Sequence, residues 1–451
     1  MIRETCWPEL DPIPREYRRL GVRGDASLPT TTIEIAVDTS LGSLDDGGLA
    51  LTYLRQLTNF SSKVRVWHHT DRDPKPGEYH LDTTKQFPGV ISVDADGPRR
   101  ISLTAARPSP GTDSWLQSMG VPEEDFTTYY LAVAAQDVGA VLFVTTRDGL
   151  LQSNRVKRRA RLVTPEEALS VIGLHMRISG EVLFAATPSF RDTAHASWAP
   201  LILTKRLLPD AWRIMRQQTA WTPLLGSSLN RLESILQLRD DILAESAPYV
   251  GRGRLRTVEA FEFMALMCDG GLDSLARSVN IALGLGLKPQ DCGWRKAKFR
   301  NALQKAAPTV SAALDDPLVK YTIDLLAALR NTVHSEPYGV ASVQNGHSPT
   351  QTPALVLPDE SFDQFEPIAV ALDRSNQWRH LVADICLLNP VALANDLIQM
   401  LIYTYRNVIE SMPWPGVDLA DQPDEAAQTG RPPDIFSDFY QERAALLYGL
   451  G

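Results

Sequence analysis

Three aspartates in the first half of the chain stand where acid side chains can meet. Asp38 closes the apolar run Thr32-Ile33-Glu34-Ile35-Ala36-Val37, Asp125 opens the stretch Phe126 to Gln136, and Asp148 follows Val144-Thr145-Thr146-Arg147. If those runs are neighbouring parallel strands, all three converge at one sheet edge, beyond the carboxyl ends where ligands collect. Gathered carboxylates repel one another and call for a divalent cation. Mg²⁺ or Mn²⁺ takes such hard oxygen ligands, orients a phosphodiester and lowers the pKa of a bound water that attacks phosphorus. The alternative is that aspartates at strand ends and helix starts simply cap free N–H groups, Asp125 above all. The basic run Arg155, Lys157, Arg158, Arg159 and Arg161 follows closely, either to hold phosphates or to line a solvated loop.

A second constellation needs no metal. Asp316-Pro317 is a helix start, an N-cap followed by proline at the first helical position, and Pro337 and Gly339 mark the stop. On this helix Arg330 and His334 lie one turn apart, about 5–6 Å between Cβ atoms, with Asn331 beside them. Such an imidazole can take the proton of a ribose 2′-hydroxyl while the guanidinium stabilises charge developing on the phosphate. The alternative is an arginine bridging to a neighbouring helix and a histidine capping its own helix C-terminus. Trp294, Arg295, Lys296, Lys298, Phe299 and Arg300 mix aromatic and basic side chains on one helix. That mixture suits single-stranded nucleic acid by stacking and phosphate contact, or equally a snorkelling surface at a core edge.

The elements that must position these groups follow from periodicity. From Thr31 to about Arg177, short apolar runs alternate with amphipathic stretches, the pattern of an α/β domain. Strands are expected at residues 32–38, 64–67 and 140–144, and helices at 46–57 and 124–136. The segment 70–111, rich in proline and glycine, reads as an excursion from the sheet with one short strand candidate at 100–105. Beyond Arg177 helical spacing dominates, with helices expected at about 229–243, 258–285, 294–305, 317–335 and 391–411. The stretches 337–358 and 413–433 read as loops or partly disordered arms.

The order Val37-Asp38-Thr39-Ser40, then a helix-opening Asp125 with Ala132, Ala134 and Ala135 behind it, then a strand ending in Thr146-Arg147-Asp148, resembles the PIN domain of metal-dependent ribonucleases. So does the closing segment Val163-Thr164-Pro165-Glu166-Glu167-Ala168-Leu169. The resemblance covers residues 31–177 and implies a mainly parallel sheet, with Asp38, Asp125 and Asp148 as ligands of Mg²⁺ or Mn²⁺. The family usually supplies a further acid from the helical region after the first strand, where this chain has Asp45 and Asp46. The segment Leu329-Arg330-Asn331-Thr332-Val333-His334 resembles the Arg-and-His motif of HEPN domains, with a shorter spacing than that family's commonest form. This second resemblance covers residues 225–412. It implies an all-α bundle, a homodimer, RNA as substrate, Arg330, Asn331 and His334 as catalytic residues without a cofactor, and a role in defence or toxin-like growth control. Residues 178–224 read as a connecting segment, and 1–30 and 413–451 as terminal arms.

Composition sets the outer bounds. A net charge of -9 argues against a protein coated in basic surface but leaves room for local basic grooves. Cys6, Cys268, Cys292 and Cys386 are scattered and form no C-x-x-C pair, so they are expected as free thiols in a reducing cytoplasm. The first residues lack the apolar run of a secretory signal, and the greasiest stretch, 386–405, is broken by Asn389, Pro390, Asn395 and Asp396, so neither secretion nor a membrane span is expected. The sequence lacks G-x-x-x-x-G-K-[ST], G-x-G-x-x-G, H-E-x-x-H and G-x-S-x-G, which removes the usual support for P-loop, dinucleotide, zincin and α/β-hydrolase chemistry. His68-His69 lacks convincing partner ligands and reads as surface or substrate-contacting. A noncatalytic sensor or scaffold that dimerises through its helical half is the rival to a ribonuclease.

Overall fold

A computed structural model of the chain describes residues 33–38, 50, 54, 64–68, 78–82, 100–102, 110–137, 140–178, 208–215, 217, 219–245, 253–335, 337–344, 351–382, 385–417 and 447. They fall into two units, 33–178 with Leu447, and 208–417. The sequence readings of Asp45, Asp46, His69 and the first 30 residues lie outside the described residues. No helix among the described residues is long and apolar enough to cross a membrane.

The first unit is built on six parallel strands, β1 (Ile33–Val37), β2 (Val64–His68), β3 (Glu78–Asp82), β4 (Arg100–Ser102), β5 (Leu142–Val144) and β6 (Leu162–Val163), in the order β4-β3-β2-β1-β5-β6. The central strand β1 pairs Ile33 with Val64 on one side and Ile35 with Leu142 on the other. Ile33, Ile35, Ala36 and Val37 are all buried, as a parallel strand covered on both faces requires. The segment 70–111 is not an excursion from the sheet: β4 falls on the strand candidate at 100–105, β3 arises where no strand is expected, and both extend the sheet. The sequence of β3, Glu-Tyr-His-Leu-Asp, is too polar to show the apolar run that marks a central strand.

Helices α1 (Pro110–Ser118), α2 (Phe126–Asp137), α3 (Asp148–Leu151), α4 (Asn154–Ala160) and α5 (Pro165–Ile178) complete this unit. Ala132 and Ala135 of α2 are fully buried in a core shared with Ala36, Phe143, Leu150 and Leu162. The start of α5 is a reciprocal capping box: Glu167 N–H donates to Thr164 Oγ1 (3.2 Å) and Thr164 N–H donates to Glu167 Oε2 (3.0 Å). At Gly173 in α5 a Cβ would lie 1.9 Å from the carbonyl oxygen of Leu447, so only glycine admits that residue. Arg177 Nη1 donates to the same oxygen (2.8 Å), and the Leu447 side chain is buried.

The second unit contains α6 (Pro209–Met215), α7 (Thr222–Glu245), α8 (Gly253–Ala282), α9 (Ala297–Ala306), α10 (Pro308–Leu314), α11 (Pro317–Ser335), β7 (Gly339–Gln344), β8 (Gln351–Leu357), α12 (Asp359–Ala371), α13 (Ser375–Trp378), β9 (Arg379–Val382), β10 (Ile385–Leu388) and α14 (Pro390–Ser411). It is mainly helical, as the spacing predicts, but it is not all-α. An antiparallel sheet, β7-β8-β10-β9, occupies part of 337–388, including the stretch read as a loop. The reason is compositional: Gly339, Ser342 and Pro353 look like turn residues, while register is set by cross-strand pairs such as Val340 with Leu355.

Helix starts are explicit. Asp316 Oδ1 accepts from the N–H of Leu318 (2.9 Å) and Val319 (3.1 Å), and Asn389 Oδ1 accepts from Val391 (3.1 Å) and Ala392 (3.2 Å). Asp316 Oδ2 also takes the hydroxyl of Tyr403 (3.1 Å), tying the start of α11 to α14. Buried Phe261, Met264, Cys268, Leu325, Leu326, Leu329, Leu397 and Leu401 form the core that holds α8, α11 and α14 together.

Candidate functional site

In the first unit, the strand β1 delivers Asp38 and the turn before α2 delivers Asp125, both buried. A guanidinium joins them. Arg147 Nε lies 3.2 Å from Asp38 Oδ2 and Nη1 lies 2.6 Å from Asp125 Oδ1. Thr145 Oγ1 donates a further hydrogen bond to Asp38 Oδ2 (3.0 Å), and Gly149 packs so closely that a Cβ there would stand 2.6 Å from Asp125 Oδ2. Burial works against charge on Arg147, but the hydrogen bond to Asp125 and the charge of Asp38 outweigh it and raise its pKa further.

Asp148 does not join this pair; it is exposed in the first turn of α3. Among the described residues no group of three acid, histidine or cysteine side chains stands close enough to hold a metal ion. The two buried carboxylates as arranged suit a guanidinium, so Mg²⁺ or Mn²⁺ would have to displace Arg147. Of the basic run, Lys157 pairs with Glu167 (2.7 Å), and Arg159 lies over the ring of Trp115, 4.9 Å from its centroid. Arg155 and Arg158 are exposed.

The second unit forms a cleft of about 460 Å³. Helix α8 places Asp269, Asp273 and Arg277 along one of its walls, spaced four residues apart and therefore on one face. Helix α11 supplies Ile323, Ala327, Arg330 and Asn331, again one face. The segment between α8 and α9 closes the cleft with Pro289, Gln290, Cys292, Gly293, Trp294, Arg295 and Lys296.

Arg330 Nε stands 3.2 Å from Asp269 Oδ2, and Arg295 Nε 3.4 Å from Asp324 Oδ1. Burial and then the charge of Asp273 raise the pKa of Asp269, against the pull of Arg330, Arg295 and His334. His334 itself is exposed on the last turn of α11 and does not line the cleft. Trp294 is buried, its indole N–H donating to Leu272 O (2.8 Å) and its ring meeting Phe299 edge-on, so it forms the wall of the cleft and presents no free stacking face. Lys298 pairs with Asp291 (2.8 Å) and Arg300 with Asp315, both outside the cleft. The thiol of Cys292 is pushed up by burial and stays protonated at neutral pH.

Compared with known protein families, curated proteins and solved structures, the chain matches none.

The structure thus brings Arg330 and Asn331 together with Arg295 and Lys296, two sets the sequence offers separately. Sequence reasoning missed Asp269, Asp273 and Arg277. Their signal was present as three charges at four-residue intervals on a helix whose other faces are apolar, Cys268, Leu272, Leu275, Ala276 and Val279 among them.

Proposed function

We propose that the protein is a ribonuclease whose working site is the cleft of the helical unit. The observation that supports this most is that Arg330 and Asn331 share a cleft of about 460 Å³ with Arg277, Arg295 and Lys296, with His334 one helical turn beyond. A volume of that order accommodates a nucleotide. Four cations, Arg277, Arg295, Lys296 and Arg330, line it against two carboxylates, Asp269 and Asp273, a local balance opposite in sign to the net charge of -9 of the whole chain.

In this reading Asp269 holds the Arg330 guanidinium over the cleft, where it meets the scissile phosphate. His334 takes the proton of the adjacent 2′-hydroxyl, the 2′-oxygen attacks phosphorus, and the 5′-oxygen leaves and takes a proton from water. The products are a 2′,3′-cyclic phosphate and a 5′-hydroxyl end, and no cofactor takes part. A homodimer through the helical unit, the HEPN-like and PIN-like kinship, and service in defence or growth control are what the sequence resemblances imply, and belong to the proposal. Asp38 and Asp125 remain a second candidate for Mg²⁺- or Mn²⁺-dependent cleavage. The rival reading, a noncatalytic scaffold, draws support from Arg147, which satisfies both carboxylates without a metal.

The test is cleavage of a mixed single-stranded RNA pool by wild type and His334→Ala, each with Mn²⁺ and with EDTA. Cleavage that survives EDTA and disappears in the variant is the expected result. Cleavage lost in EDTA and retained in the variant moves the chemistry to the aspartates. No cleavage by wild type in either buffer favours the scaffold.

A further inference from the structure

The cations of the helical cleft fall into two kinds. Arg330 and Arg295 are each committed to a carboxylate, Asp269 and Asp324. Arg277 and Lys296 also line the cleft, yet neither forms an ion pair with a described residue. They come from different elements, Arg277 from α8 and Lys296 from the residue that precedes α9. Four cations, Arg277, Arg295, Lys296 and Arg330, line the cleft against the two carboxylates of Asp269 and Asp273, so its lining carries a net positive charge to which these two uncommitted cations contribute. Lys296 is the N-cap residue of α9 and makes no side-chain cap hydrogen bond. Gly293 packs beside both Lys296 and Asp273: a Cβ there would stand 3.3 Å from Lys296 Cγ and 4.0 Å from Asp273 Oδ1.

We propose that Arg277 and Lys296 form a phosphate subsite that takes a backbone phosphate of single-stranded RNA flanking the one presented to Arg330. This rests on the reading of the cleft as a ribonucleotide site and adds a second anchoring point to it. The carboxylates of Asp269 and Asp273 also face the cleft and bar the strand from running along α8 unassisted. Asp269 is neutralised by Arg330, which leaves the charge of Asp273 as the feature that keeps the two phosphates apart. Arg330 positions the reacting phosphate, and the subsite fixes the register of the strand against it. In that arrangement the subsite governs affinity, and the Arg330 end governs the chemical step.

The test is binding of a short labelled 2′-O-methyl RNA, which lacks the 2′-hydroxyl needed for cleavage, measured by fluorescence anisotropy in EDTA across a series of salt concentrations. Wild type, Arg277→Gln, Lys296→Gln, the charge-keeping Arg277→Lys and Lys296→Arg, and the control Lys305→Gln, exposed on α9 outside the cleft, are compared. Circular dichroism and the thermal midpoint establish that each variant is folded. Each glutamine substitution in the subsite is expected to weaken binding roughly five-fold at low salt and to lower the slope of log affinity against log salt by about 0.7, the value for one phosphate contact on a single strand. The charge-keeping variants retain the wild-type slope, and Lys305→Gln changes neither quantity.

Unchanged slope and affinity in both folded glutamine variants, or no binding by wild type, overturns the subsite. Cleavage of ordinary RNA is measured in parallel and separates the two ideas. A subsite that binds as expected in a protein that never cuts RNA sinks the ribonuclease reading alone. A protein that cuts RNA while Arg277→Gln and Lys296→Gln bind like wild type sinks the subsite alone.

Discussion

The guanidinium of Arg147 lies 2.6 Å from the buried carboxylate of Asp125 and reaches Asp38 with its other edge. One cation therefore pairs with two buried acids of the α/β unit. Removing it exposes the repulsion the sequence pattern suggested.

Arg147→Met is expected to destabilise the α/β unit by on the order of 3 kcal/mol, because it removes the cation that pairs with two buried carboxylates. Urea unfolding reads this directly. Mn²⁺ is expected to recover part of the loss in Arg147→Met and to leave wild type unchanged. A wild type stabilised by Mn²⁺ to the same degree, with the gain abolished in Asp38→Asn, would show instead that the metal displaces the arginine.

The pKa of Asp269 is raised chiefly by burial, then by Asp273. A carboxyl whose pKa is higher folded than unfolded binds more protons in the folded state. Its contribution to stability is then greatest at low pH, falls as pH rises from the ordinary aspartate range through the raised pKa, and is level above it. Denaturation of wild type and Asp269→Asn from pH 4 to 8 isolates this group, since Glu233 and Asp396, whose pKa values are also raised, are common to both. The wild-type minus variant difference is expected to slope downward with pH, and an upward slope contradicts the assignment.

Helix α11 carries Arg330, Asn331 and His334, and its start depends on Asp316. Asp316→Ala removes two capping hydrogen bonds and the Tyr403 contact, with an expected loss of about 1–2 kcal/mol in urea unfolding. The far-UV spectrum at low temperature is expected to be unchanged, so that any loss of RNA binding under those conditions cannot come from unfolding.

Much of this was legible in the sequence, and the failures have physical causes. The Asp316-Pro317 start of α11, the central strand ending at Asp38 and the helix from Pro390 follow from local rules that act within one turn or one strand. The sheet β7-β8-β10-β9 was missed because its strands depend on partners distant in the chain, and β3 because its polar sequence shows no apolar run, whereas β4 falls on the strand candidate at 100–105. For the sites, the convergence of Asp38 and Asp125 was foreseeable from strand topology. The intervening Arg147 was not, because the direction of a long side chain is set by neighbours in space. Arg330 and Lys296 came to one cleft only through the packing of α8, α9 and α11.

Gly173 and Leu447 meet so tightly that a single methyl group interferes. Gly173→Ala is expected to lower the stability of the α/β unit by roughly 1–3 kcal/mol through overpacking, and to make the peptide bonds around Leu447 more susceptible to limited proteolysis. Equal proteolysis of variant and wild type would show that Leu447 stays docked.

That contact also orders events on the ribosome. Leu447 finishes the core of a unit whose other described residues end at Ile178, and the whole of 208–417 is translated in between. The helical unit, with its cleft, can close while the α/β unit still waits for its last side chain. A premature stop codon between residues 418 and 446 would release a chain with a complete helical unit and an unfilled seat on α5, the kind of exposed apolar surface that cellular quality control recognises.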